Sequence, residues 1–247
     1  MKKYDFKIEY NPAYSLLKVN LKYQSILAET GAMVYMSKGI QIDTNMKGGL
    51  MGALKRMAVG EGLFVNEFQG TGTLALSPSY VGDITHHNLD GTLYVQSGAY
   101  LASSPDIDID TKLGNLDMIY GGMGLFLMKL EGRGDVFLSS LGALETLELN
   151  SEEIIVDNGN LVGFTEGLKY SLKRIGGLKT SVFSGEGRAY EFSGTGKIYI
   201  QTRNLVEFGK FLSNIVQEAV DIIGQDIKTG NKTIKIKNPY TFIPSEP

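Results

Sequence analysis

Apolar and polar residues alternate along short segments through most of the chain. The alternation has a period of two at residues 17–21, 147–149 and 198–200. Side chains of a strand point to opposite faces in turn, so this pattern predicts half-buried β-strands. Residues 205–223 differ, because their apolar side chains recur at spacings of three and four, which predicts one amphipathic helix. Gly224 follows at a position typical of a helix C-cap.

A Gly-x-Gly pattern followed by an alternating segment occurs three times, at residues 70–72, 132–134 and 194–196, with a spacing of 62 residues. Two further glycine markers have nearly the same period: a strand, a corner glycine and a second strand around Gly31, Gly98 and Gly159, and a Gly-x-Gly at residues 60–62, 122–124 and 185–187. Glycine at a corner between apolar runs is typical of tight hairpins. The shared period predicts three copies of one β-unit.

The order of these markers suggests how the units are closed. The last Gly-x-Gly strand, residues 192–201, has no hairpin after it, and the first hairpin has no Gly-x-Gly strand before it. We therefore expect this strand to complete the N-terminal unit, which would leave fewer exposed sheet edges. The predicted domains are a threefold-repeat β domain at 1–204, with units at about 192–203 joined to 1–66, 67–128 and 129–191, and a C-terminal helix and tail at 205–247.

Composition narrows the possible functions. The 247 residues include 31 Gly and 6 Pro but no Cys, which excludes disulfides and thiolate chemistry. A net charge of -3 does not favour nucleic-acid binding, which depends on an excess of positive charge. The chain has no uninterrupted apolar stretch of membrane-spanning length and no apolar segment behind its basic N-terminus. We expect a cytoplasmic location.

Several of these motifs resemble a known family. Lys55-Arg56 followed by Gly60-Glu61-Gly62, the threefold Gly-x-Gly strands and the closing residues 201–203 resemble the altered-inheritance-of-mitochondria family, member twenty-four, in its bacterial and archaeal homologues. The family is related in fold to the trp RNA-binding attenuation protein. The resemblance covers about residues 1–204. It implies all-β architecture, with β-sandwich or double-stranded β-helix units about a pseudo-threefold axis and one C-terminal α-helix, and it implies no particular reaction or ligand.

Two groups of residues could carry chemistry. Asp106, Asp108 and Asp110 would share one face of a strand, where their spacing of about 6.5–7 Å is too wide for one Ca²⁺ ion, so a solvated face is favoured. His86 and His87 are the only histidines and would face opposite ways. His87 aligns with Val19 and Leu147 of the other units, which would make it a buried polar exception or a pH-sensitive group.

The Gly-x-Gly motifs precede strands and open no helix, so they are interpreted as bulges or close backbone approaches and not as phosphate loops. No nucleophile lies in a recognisable elbow. We expect no catalytic residue, no bound cofactor and no metal site, and we do not expect an enzyme.

Residues 46–60 form an apolar insertion with three positive charges. Its candidate contact residues for a partner or an anionic membrane surface are Leu50, Met51, Leu54, Lys55, Arg56 and Met57. The alternative is that it packs over its own β-unit or against a neighbouring subunit, which a related segment at 172–177 favours.

The sequence thus favours a non-catalytic scaffold or interaction protein that forms a homo-oligomer. Two alternatives stay open: a peripheral membrane-associated protein acting through residues 46–64, and a small-molecule-binding β-domain with a pocket near His87.

Overall fold

The computed structural model describes residues 4–43, 65–111, 126–174 and 188–229. Within these ranges the chain is mostly β-sheet, with a single α-helix near the C-terminus. The strands are β1 (Asp5–Glu9), β2 (Leu16–Glu29), β3 (Met33–Met36), β4 (Ile40–Asp43), β5 (Val65–Leu76), β6 (Gly82–Gln96), β7 (Tyr100–Ser103), β8 (Asp108–Asp110), β9 (Leu127–Leu141), β10 (Leu144–Asp157), β11 (Leu161–Thr165), β12 (Leu168–Arg174) and β13 (Arg188–Gln201), and the helix is α1 (Leu205–Thr229). The chain forms two compact units, residues 1–206 and 207–247.

The strands fall into three sets with the same pairing pattern. In the first set β5 pairs with β2, β3 and β4; in the second set β9 pairs with β6, β7 and β8; in the third set β13 pairs with β10, β11 and β12. Two antiparallel contacts join the sets. We call the β7–β2 contact the first joint and the β11–β6 contact the second joint. The sheet therefore runs β10-β13-β11-β6-β9-β7-β2-β5-β3.

The Gly-x-Gly strand of each set, β5, β9 or β13, is strongly bent. Glu29, at the end of β2, lies opposite Val65 at the start of β5, whereas the carbonyl of Ala32 accepts a hydrogen bond from Ser77, just beyond the other end of β5. A straight strand of 12 residues would hold these two ends about 35–40 Å apart. β5 must therefore turn back on itself, and its Gly-x-Gly lies at the middle of the turn.

These glycines are needed because another backbone passes close to them. A Cβ on Gly70 would lie 2.1 Å from the carbonyl oxygen of Gly39, and one on Gly72 would lie 2.4 Å from the Cβ of Ser37. The Ser37 hydroxyl accepts a hydrogen bond of 3.0 Å from the N–H of Thr73. Equivalent close approaches join Gly132 to Asp106, Gly134 to Ser104, Gly194 to Gly167 and Gly196 to Thr165. The predicted close backbone approach is confirmed at all three motifs.

Each bend encloses a hydrophobic cluster that contains residues from both halves of the bent strand. The pairs are Phe68 and Leu74 on β5, Leu130 and Val136 on β9, and Phe192 and Ile198 on β13. Each cluster also includes residues of an adjacent set, such as Phe137 in the first, Tyr199 in the second and Leu127 in the third. Burial of these side chains is the main favourable term for the bent arrangement.

Two expectations about pairing are corrected. Residues 192–201 lie in β13, which pairs with β10, β11 and β12 and not with the N-terminal strands that the structure describes. The Gly-x-Gly strand ends a set instead of beginning one, and pairing within neighbouring sequence costs less loop-closure entropy. The strands around Gly31 are not a hairpin either, because β2 and β3 lie on opposite edges of β5.

The helix begins with a side-chain cap, since the Asn204 side-chain oxygen accepts a hydrogen bond of 3.0 Å from the N–H of Val206. α1 continues through Gly224 to Thr229, so the predicted C-cap is wrong. One face of α1 exposes large apolar side chains: Phe208, Phe211, Leu212, Ile215 and Val216.

Candidate functional site

The polar side chains with the most unusual surroundings gather at the two joints between sets. At the first joint Leu27 and Ala28 of β2 lie opposite Ser103 and Ala102 of β7. At the second joint Tyr94 and Val95 of β6 lie opposite Phe164 and Gly163 of β11. Because the three sets have the same pairing pattern, both joints repeat one geometry.

His86 lies beside the first joint with a buried carboxylate as its partner. Its Nε2 is 2.7 Å from Oδ1 of Asp135, whose side chain is almost completely buried. The other carboxylate oxygen accepts a hydrogen bond of 3.3 Å from the N–H of Tyr4. Phe6 and Phe137 pack against the imidazole, with ring centroids 4.7 and 5.3 Å from it. Asp135 thus fastens the N-terminal strand β1 to the second set.

His87 points to the other side of β6 and contacts the third set. Its Nδ1 is 2.8 Å from the Tyr199 hydroxyl, and the two rings meet edge-to-face. Burial lowers the pKa of His87, and the nearby His86 and Lys197 lower it further. The strand register confirms the sequence alignment of His87: it lies opposite Val136, as Val19 lies opposite Leu74 and Leu147 opposite Ile198.

Glu29 at the end of β2 is a partly buried acid that sequence reasoning missed. Burial raises the pKa of its carboxyl from 4.5 to about 7. Burial also raises the pKa of Tyr80 to about 12 and that of Tyr100 further, and the Glu29 charge adds to both shifts. A signal was available, because the position two residues before the corner glycine is polar in all three sets: Glu29, Gln96 and Asp157.

The equivalent positions of the second joint form an amide network. The Gln96 side chain donates to the carbonyl of Asn158 at 2.9 Å, and Gln201 donates to the carbonyl of Gly159 at 2.8 Å and accepts from Leu141 at 2.8 Å. Beside this network lies a depression of about 10 Å³, which has room for one water molecule. Typical sites for small ligands are larger, at about 300–1,000 Å³.

The predicted aspartate face is only partly a strand. Asp108 and Asp110 lie on β8, opposite Glu131 and Lys129 of β9, while Asp106 lies in the turn before it. Among the residues that the structure describes, no three His, Cys, Asp or Glu side chains are grouped as metal ligands would be.

The remaining candidates lie outside the described residues. These are the contact residues Leu50, Met51, Leu54, Lys55, Arg56 and Met57 of the apolar insertion, together with the glycine marker at 60–62 and its two later copies.

Comparisons with known proteins place the chain in a family. The family model described as mitochondrial biogenesis AIM24 matches residues 6–203. The chain belongs to the AIM24 family. An uncharacterized protein of Streptococcus pyogenes serotype M6 is 31% identical over 216 residues, which cover 82% of this chain and 87% of that protein. A crystal structure of a Streptococcus pyogenes protein, 30% identical, matches 86% of this chain and 100% of its own length with a TM-score of 0.74.

The AIM24 match includes every strand from β2 to β13 and both joints. In the described part of this AIM24 chain, no helix has both the length and the apolar character needed to cross a bilayer.

Proposed function

We propose that this protein is a non-catalytic scaffold or interaction protein that acts as a homo-oligomer. In this proposal the three strand sets are copies of one β-unit. The fold relationship to the trp RNA-binding attenuation protein, which the resemblance implies, belongs to the same proposal. The proposal does not include nucleic-acid binding, since the chain has a net charge of -3.

Equivalent contacts in the three sets support the repeat. In each set a hydroxyl six residues after the corner glycine accepts a hydrogen bond from the N–H that follows the Gly-x-Gly. The distances are 3.0 Å for Ser37 and Thr73, 2.9 Å for Ser104 and Asp135, and 2.9 Å for Thr165 and Lys197. Three unrelated segments would not be expected to form the same side-chain hydrogen bond at equivalent positions.

An interaction role is best supported by the contrast between the paired polar side chains at the joints and the exposed apolar side chains on the surface. Polar side chains of the second and third sets bond to one another, His87 to Tyr199 and Gln96 to Asn158, and His86 bonds to Asp135 within the second set. The first two pairs hold sets together, and all three leave their polar groups engaged. Large apolar side chains are instead exposed at the two ends of the sheet and along α1. Exposed apolar clusters of this kind mark surfaces that bind other proteins.

Native mass spectrometry of the purified protein tests the proposal. The expected result is a mass that is a multiple of 27.0 kDa, with light scattering at micromolar concentration giving the same stoichiometry. A mass of one chain, with no partner bound, would contradict the oligomeric role. Co-purification of a small molecule in stoichiometric amount would favour the ligand-binding alternative.

The membrane alternative rests on the sequence of residues 46–64 alone. Flotation with anionic liposomes, comparing the natural chain with Leu54→Glu, tests it. Equal partitioning of both proteins would end this alternative, because a charge at the centre of an apolar contact must weaken insertion.

A further inference from the structure

The sheet ends in two strand edges that are not paired in the described part of the chain. β3 pairs with β5 on one side, and β10 pairs with β13 on one side. In the other two sets the corresponding strands are paired on both sides: β7 contacts β2, and β11 contacts β6. We call the two unpaired sides the β3 edge and the β10 edge. The two edges are complementary, because each joint pairs a strand equivalent to β3 with a strand equivalent to β10.

The register of the two joints predicts how these edges would meet. At each joint the residue five positions after a corner glycine lies opposite the residue four positions before another: Ser103 opposite Leu27, and Phe164 opposite Tyr94. Counted in the same way from Gly31 and Gly159, Met36 would lie opposite Ile155. The next pair would be Tyr35 opposite Val156.

Burial shows that a neighbour is missing at the β10 edge. Leu27, covered at the first joint, is 7% exposed, and Tyr94, at the second joint, stacks on Phe164. Ile155 occupies the same position in the third set and is 65% exposed. An isoleucine side chain with this exposure on a strand edge favours pairing with another strand.

The β3 edge shows the same difference. Val34 is 55% exposed and Tyr35 44% exposed. Their equivalents in β7, Leu101 and Ala102, are completely buried. Charges agree with contact between the two edges, because Lys38 beyond the end of β3 and Glu153 on β10 are both exposed and would lie near each other in this register.

We propose that the β3 edge of one chain pairs antiparallel with the β10 edge of a second copy, forming a third joint between molecules. The contact is head-to-tail, so further copies can add until a ring closes. This inference rests on the proposed homo-oligomeric function and specifies its interface.

Cysteine cross-linking tests the pairing, because the natural chain has no Cys. Met36→Cys and Ile155→Cys are prepared separately, one with a heavy-isotope label, then mixed and oxidised. Opposite residues of antiparallel strands lie within disulfide reach. The expected product is a dimer with one chain of each kind, whereas each variant alone should stay uncross-linked. Tyr23→Cys replaces Ile155→Cys in the control mixture and should give no product, because Tyr23 is 90% exposed and lies on β2, on the opposite side of β5 from β3.

The double variant Met36→Cys/Ile155→Cys distinguishes contact between copies from closure within one chain. Pairing between copies gives a ladder of covalently linked chains. A single chain carrying an internal disulfide would overturn the proposal, as would dimers of Ile155→Cys with itself or a mixed product no more abundant than the control.

Native masses separate failure of this interface from failure of the proposed function. We expect Ile155→Lys to raise the dissociation constant about thirtyfold and Tyr23→Lys to leave it unchanged. If the natural chain is oligomeric but Met36→Cys and Ile155→Cys give no mixed product, this interface is contradicted and the oligomeric scaffold stands. A strictly monomeric natural chain contradicts both.

Discussion

Replacing Gly70 by alanine provides a direct test of why the Gly-x-Gly motifs are present. Gly70 has a φ of 144°, and a Cβ there would lie 2.1 Å from the carbonyl oxygen of Gly39. The backbone conformation costs an L-residue about 1–3 kcal/mol. Forcing a methyl group into a packed contact adds about 1–3 kcal/mol, because the turn above the strand must move. We therefore expect Gly70→Ala to lose about 3–4 kcal/mol of unfolding free energy.

Gly31→Ala is the matched control, because Gly31 also has a positive φ, 90°, but nothing lies within 4 Å of the position its Cβ would take. Only the backbone cost applies there, about 1 kcal/mol. Urea unfolding followed by circular dichroism measures both differences, and the slope of each transition checks that the mechanism is unchanged. Equal losses in the two variants would refute the reasoning, since the close approach of Gly39 would then contribute nothing.

Three further substitutions probe the joints. Burial raises the pKa of Glu29 to about 7, so the stability of the natural chain is highest below pH 4.5 and is lost as pH rises through 7. The unfolding free energy of Glu29→Gln should therefore exceed that of the natural chain by about 2 kcal/mol at pH 8 and by little at pH 5. A difference in urea unfolding that does not change with pH would contradict this. Asp135→Asn should cost about 2–3 kcal/mol of unfolding free energy, because it replaces a buried carboxylate and weakens its hydrogen bonds; thermal or urea unfolding measures the loss. Asp90→Asn removes one partner of an exposed ion pair and should cost under about 1 kcal/mol. Tyr199→Phe removes the hydroxyl partner of His87 and should cost about 1 kcal/mol at pH 8; an unchanged stability would show that this hydrogen bond adds nothing.

The all-β architecture, the helix and the structural role of the glycines could be predicted from the sequence, because alternation and glycine spacing are local signals. The pairing partner of residues 192–201 could not, because the order of markers fits a Gly-x-Gly strand that either begins or ends a unit. The bend in each long strand was also missed. Periodicity shows which side chains are buried, but it does not show that β2 and β3 lie on opposite edges of one strand.

The candidate site was predictable only in part. The register of His87 followed from aligning the units, and its lowered pKa follows from burial there. Its partner Tyr199 is 112 residues away and belongs to another set, so no local pattern connects them. Glu29 could have been found by comparing the three corner glycines, since a carboxylate stands where the second set has an amide.

Each hydrophobic cluster includes residues of an adjacent set, and among the described residues only the central cluster is packed by side chains of both other sets, Val65 of the first and Leu144 of the third. Stability in such an arrangement is transmitted from neighbour to neighbour, much as in a short linear array. The central set is supported from two sides and each terminal set from one. Amide hydrogens of β6 and β9 should therefore exchange most slowly, and opening should begin at β3 and β10. A protein that captures another copy at those two strands would gain rigidity where it is otherwise weakest.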